Sequence, residues 1–435
     1  MILFYFLLLS LPFVDYGPFG REIGGLTLEK IIGAGCFLYA LSYLPRRREL
    51  PMLFASAQAK AFVLYVALAV TSYVLTAETI LFADFVGIFL SQFLFFITVM
   101  ILVDSRERLQ TTVLMVTASI GIVSLYLIRE WVANVGQYGL SYRPGWVAGD
   151  PNMFSASALV VLPMMLCPIA YAPRLWQRTG AIACMGVTLF AFLLAGSRGG
   201  FLGLICMFLW HLHDARRRII TVVVCVVILL LCLVSPYSPL DRLLKPTESD
   251  IQSSNYRLQL WSVSGKIFVD HPLFGVGLWN FPKYMHRYLP PGVDLEFVVP
   301  HSTYIEAAVE LGSIGLLLLL SVMGLSLWAL ERMRRAATAA KDAYYAALST
   351  SIGSGLVGFG VAAMFLSAKH AKLFWFAVFL SACMAPLVEE SIRAARNREK
   401  ESEAPSALAV SPPVNKEPAF VEDVPIRVGN WLTRH

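Results

Sequence analysis

The chain has 435 residues, 57% of them hydrophobic and 15% charged, with a formal net charge of +6 and a mean hydropathy of +0.66. A soluble globular chain is nearer half apolar and a quarter charged, so this composition excludes an ordinary water-soluble domain and points to a polytopic membrane protein. The surplus of Lys and Arg calls for no nucleic-acid partner, because basic residues in such chains record topology.

Apolar stretches long enough to cross about 30 Å of hydrocarbon as helix recur along the chain, and barrel-type alternating strands do not. The predicted fold is all-α and polytopic, with about twelve spans near 1–14, 25–44, 61–77, 80–103, 111–128, 153–172, 179–196, 200–212, 219–236, 303–330, 343–366 and 373–388. The opening MILFYFLLLSLPFV lacks a basic leader and a small-x-small cleavage site, so it reads as a short first span and not as a signal peptide.

Alternate loops divide the charges. One set holds Arg46, Arg47, Arg48, Lys60, Arg106, Arg108, Arg174, Arg178, Arg216 to Arg218, Arg332, Arg334, Arg335 and Lys341. The short loops of the other set hold only Arg21, Arg129, Arg143, Arg198, Lys369 and Lys372. The positive-inside rule makes the first set cytoplasmic, with both termini, and turns the second outward. Residues 237–302, between the ninth and tenth spans, become one large external loop, whose amphipathic SSNYRLQLWSVSGKIFVDHPLF predicts short helices on the membrane face. Residues 389–435 turn charged and then Pro/Ala/Ser/Glu-rich, which predicts a disordered cytoplasmic tail behind a membrane domain of residues 1–388.

The seven cysteines all fall inside apolar runs without CxxC spacing, so neither a metal nor a cofactor is expected. Three basic side chains stand on the outer side beside apolar surface: Arg198 in AGSRGG, Arg257 in NYRLQLW and His301 in VVPHSTYIEAAVELG. Gly199, Gly200 and Gly203 allow a tight turn and close packing of the next helix, which would hold Arg198 in one direction. A guanidinium binds phosphate oxygens through two parallel hydrogen bonds and stabilises charge on a departing pyrophosphate. An imidazole takes a proton from an attacking hydroxyl. Asp150, before Pro151 and Asn152, is equally an N-cap or a substrate contact. Glu306 and Glu310 lie one turn apart in the tenth span, where carboxylates are either functional or paired; Glu29 with Lys30 is a second expected intramembrane pair.

Four stretches in order, GDPNMFSASALVVLPMM (149–165), AGSRGGFLGL (195–204), YRLQLWSVSGKIFVDHPLFGVGLWNF (256–281) and PHSTYIEAAVELGSIGLLLL (300–319), together resemble the O-antigen ligase and polymerase superfamily of bacterial membrane glycosyltransferases. The resemblance implies an inner-membrane enzyme that takes a glycan from undecaprenyl pyrophosphate and transfers it to an acceptor hydroxyl on the periplasmic face. Arg198 and Arg257 would hold the pyrophosphate, His301 would assist the acceptor or the leaving group, and Asp150, Asn152, Tyr304 and Glu306 would contact substrate. Ser302 stands after His301 where many relatives have asparagine. Ligation to lipid A–core is the first expectation; polymerisation of lipid-linked repeat units is the alternative, with protein O-glycosylation or transport of a lipid or solute more distant.

Overall fold

The computed structural model describes residues 1–13, 22–23, 26–43, 54–76, 86–139, 142–145, 150–211, 248–289 and 299–407. Helices α1 (Ile2–Ser10), α2 (Leu28–Leu41), α3 (Ala57–Thr76), α4 (Ser91–Leu102, entered through a π-turn at Val86–Leu90) and α5 (Arg106–Tyr138) form the first half. They are followed by α6 (Pro151–Val161), α7 (Leu166–Tyr171), α8 (Leu175–Ala195), α9 (Arg198–His211), α10 (Glu248–Asp270), α11 (Phe281–Tyr288), α12 (Thr303–Ala339), α13 (Ala343–Ala362) and α14 (Lys372–Ala407). A two-residue antiparallel pairing of Glu22–Ile23 with Leu26–Thr27 precedes α2.

Among the described residues, 7 helical stretches are long and apolar enough to cross a membrane. The sequence predicts more, and the difference lies in short pieces: α1, α2, α4 and α9 occupy predicted spans with 9, 14, 12 and 14 residues. The ninth predicted span, 219–236, lies outside the described residues, as do 237–247 and 290–298 of the predicted loop. Residues 1–392 form one compact unit. Helix α14 runs on past residue 388 to Ala407, so the first part of the predicted tail is helical.

Helix ends follow local chemistry. Ser105 caps α5 through the Arg108 amide, and Asp342 caps α13 through the Tyr345 amide. Gly196 takes the left-handed conformation after α8, which ends that helix and lets α9 begin two residues later. In a bilayer, lipid offers apolar groups as good a surrounding as protein does, so helices join where they pack closely. Helix α9 packs on α13, α12 on α13 and α3, and α5 on α8. At the α9–α13 crossing Gly203 lies against the Gly358 carbonyl, where a Cβ would overlap it. An aromatic cluster joins α3, α4 and α14, with Phe62 ring-centred 5.0 Å from Trp375, 4.9 Å from Phe379 and 5.3 Å from Phe96.

Helices α10 and α11 form a cap over the start of α12, with a small core of Leu260, Val263, Ile267, Val276, Phe281, Met285 and Val309. Helix α12 breaks at Gly312 (φ 70°, ψ −170°). The break frees backbone groups that the 271–280 segment takes up: the Val276 and Gly277 amides donate to the Val309 and Glu310 carbonyls, both at 2.9 Å, and Ser313 donates to Pro272 at 2.8 Å. The cap is thus stitched into the membrane helix by main chain.

Candidate functional site

The starts of α6, α9, α12 and α14 and the ends of α8 and α13 meet at one end of the bundle, because successive helices run in opposite directions. The basic clusters of the other loop set, including Arg106 with Asp342 at 2.8 Å and Arg334 with Glu331 at 2.7 Å, occupy the opposite end. The predicted site residues therefore share the end that carries few basic loops.

A pocket of about 430 Å³ opens there, lined by both Arg198 and Arg257 with Arg143, Asn152, Ser197 and Phe365 around them. Arg198 is the first residue of α9, where the sequence turns on Gly196 and Ser197. Gly200 lets the turn close: a Cβ there would stand 2.8 Å from Ser155. The Ser197 hydroxyl accepts from the Gly200 amide at 3.1 Å and donates to Asn152 Oδ1 at 2.8 Å. Asn152 Oδ1 also accepts from Arg143 at 3.1 Å, and Arg143 Nε donates to the Ala195 carbonyl at 2.8 Å. Asn152 is thus the knot between the α8–α9 turn and the approach to α6.

Helix α10 supplies the facing wall. Asp250, Ser254, Arg257 and Trp261 fall at steps of four, three and four, a single stripe along the helix. The Arg198 guanidinium lies 3.8 Å from Asp250 Oδ1, 3.5 Å from the Asp250 carbonyl and 3.4 Å from the Ser254 hydroxyl. Asp250 is 2% exposed while Arg198 is 23% exposed, so the carboxylate orients the arginine from behind and leaves part of it open to the pocket. These are long contacts for a guanidinium, which a bidentate anion can replace.

His301 does not line this pocket but stands beside it, half-buried, at the entry to α12. Its backbone is left-handed (φ 52°), a conformation that costs free energy and persists where surroundings impose it. Trp261 Nε1 donates to the Pro300 carbonyl at 2.9 Å. On the other side Thr303 Oγ1 donates to the Leu366 carbonyl at 2.6 Å and accepts from the Ala368 amide at 2.9 Å. The His301 backbone is held between these anchors. Burial pushes its pKa below the ordinary value and the Arg257 charge pushes it further, while Asp150 and Glu306 draw it back up. The net lowering keeps the ring neutral near pH 7, the form a base requires.

The remaining predicted residues have structural partners. Asp150 is the N-cap of α6, its Oδ1 accepting from the Asn152 amide at 2.6 Å and the Met153 amide at 3.2 Å. Tyr304 turns to α13, donating to the Gly360 carbonyl at 2.8 Å. Glu306 is buried with Glu310 around Lys369, whose Nζ lies 2.9 Å from Glu306 Oε1, bonds Glu310, and sits 4.3 Å from the Trp279 ring centre. Glu29 pairs with Lys372 across the bundle and not with its neighbour Lys30, whose amide is part of the Thr27 cap. The sequence reading did not single out Arg143, Ser197, Asp250 or Lys369; the stripe on α10 was readable in SDIQSSNYRLQLW as helical spacing about Arg257.

Comparison with curated proteins finds no match. Residues 180–320 match the family model described as O-antigen ligase, and this stretch carries Arg198, Arg257, His301 and the cap between them.

Proposed function

We propose that the protein transfers a glycan from undecaprenyl pyrophosphate to an acceptor hydroxyl, with ligation to lipid A–core as the reaction. The family is one of membrane glycosyltransferase-like enzymes; donor, acceptor and side of the membrane are our reading. One observation carries it: two arginines far apart in sequence line the same pocket, with the His301 imidazole beside it. The scarcity of basic residues in the loops at that end supports a periplasmic site with cytoplasmic termini.

The chemistry runs without nucleotide. The acceptor oxygen attacks the anomeric carbon, its proton passes to the neutral His301 ring, and the bond from that carbon to the pyrophosphate oxygen breaks. The electron pair of that bond leaves on the lipid pyrophosphate, where Arg198 and Arg257 meet the added charge. Asp250 and the Asn152 knot keep the guanidinium and the α9 turn in place before donor arrives, so little ordering remains for the reaction itself. A transport reading is less apt, because the backbone groups freed by the break at Gly312 are taken up by the 271–280 segment and not left for a substrate or ion.

Ligation and polymerisation share this donor and this site. A deletion strain separates them: accumulation of lipid-linked polymer with bare core supports ligation, whereas core capped by a single repeat unit moves the assignment to polymerase.

A further inference from the structure

Lys369 was legible only as one of the few basic residues in the outer loops, yet it is 3% exposed. It sits between α13 and α14 and is held from several directions. Its Nζ pairs with Glu306 and Glu310 and lies over Trp279, and its carbonyl accepts from Trp375 Nε1 at 2.8 Å. Burying an ammonium is costly unless it is paired, and here two carboxylates stand against one cation. Glu306 Oε2 is buried without a hydrogen-bond partner, while Oε1 faces Lys369 Nζ at 2.9 Å.

Glu306 stands in the first turn of α12, five residues after His301. We propose that Glu306 and Lys369 are positioning residues for His301: the pair ties the start of α12 to the 366–371 loop, and its carboxylate holds the imidazole in a negative field. This rests on the proposed role of His301 as the base. The same loop that carries Lys369 bonds Thr303 through Leu366 and Ala368, so the ion pair and the backbone anchors act on one short stretch of chain.

The charged groups around His301 come from each neighbouring element: Arg257 from α10, Asp150 from the start of α6 and Glu306 from α12 itself. Around the pair stand Glu310 from α12, Tyr65 from α3 and the exposed His370 beside Lys369. Arg257 opposes protonation of His301, and Glu306 favours it. Lys369 partly neutralises Glu306, so removing either partner changes the field at His301 in opposite directions. A purely structural role predicts no such opposition.

The test is an NMR titration of histidine-labelled full-length protein in nanodiscs without substrate, with the His301 signal assigned by its loss in His301→Gln. Glu306→Gln should lower the His301 midpoint and Lys369→Met should raise it, each by roughly half a pH unit. The double variant should return close to wild type. Unchanged midpoints, or shifts of the same sign, overturn the proposal. Glu306→Gln keeps a carbonyl oxygen for Lys369 and decides the case by itself if Lys369→Met does not fold. Because no glycan transfer enters the readout, failure of the transfer reaction would count against the proposed function and leave this result standing.

Discussion

The indole of Trp261 donates to the Pro300 carbonyl at 2.9 Å, so the helix that carries Arg257 also fixes the residue before His301. The proposed pyrophosphate-binding and proton-accepting residues are therefore joined by a hydrogen bond between the cap and the membrane helix. Trp261→Phe keeps a ring beside Phe365, now 6.4 Å away between centres, and removes only the donor. A hydrogen bond of this kind contributes about 1 kcal/mol, so kcat for glycan transfer should fall roughly fivefold with the fold intact. An unchanged kcat would mean that the cap does not order His301.

The pH profile follows from the direction of the His301 shift. Burial first, and Arg257 second, lower its pKa, so the ring stays neutral and able to accept a proton below the ordinary histidine midpoint of about 6.5. The acid limb of kcat/KM should accordingly lie below that value. Arg257→Gln removes a cation that opposes protonation, so the limb should move to higher pH as activity drops. A limb that stays in place would show that another group titrates.

Asn152 tests the electrostatics of the pocket separately from its architecture. Asn152→Asp retains an oxygen for Arg143 and Ser197, which now bond Oδ1 at 3.1 and 2.8 Å, but adds a negative charge beside the proposed pyrophosphate position. Donor KM should rise by about tenfold or more, with thermal stability unchanged, and added salt should narrow the gap by screening. Equal KM values would place the pyrophosphate elsewhere.

Gly312 tests the join between cap and membrane helix. Alanine would be strained at φ 70°, and its Cβ would overlap the Leu273 carbonyl. Gly312→Ala should destabilise the protein by about 2 kcal/mol or more, seen as a lower melting temperature by tryptophan fluorescence. Gly324, later in the same helix, has nothing within 4 Å of its Cβ position, so Gly324→Ala should be neutral or slightly stabilising.

What the sequence made legible, and what it hid, divides along local and distant chemistry. Arg198, Arg257 and His301 stood out because each is a charge or base in an apolar setting, flanked by residues that fix its own backbone. The Asp150 cap was readable from Asp-Pro-Asn alone. Asp250 was hidden because its partner is 52 residues away, and nothing local to Arg198 announces a carboxylate. Lys369 was hidden for the same reason: its partners lie on α12, and only the fold brings that loop against Glu306. Among the described residues 7 helices are long and apolar enough to cross a membrane; the other predicted spans fall on shorter helices such as α2 and α4 or outside those residues, because apolar run length alone does not fix where a helix starts and stops.

The most direct test is glycan transfer by the purified protein in nanodiscs, with a lipid-linked donor and lipid A–core acceptor, comparing wild type with Arg198→Ala, Arg257→Ala and His301→Ala. The account predicts transfer by wild type and a loss of about a hundredfold or more in each folded variant. Full activity in the variants would contradict it.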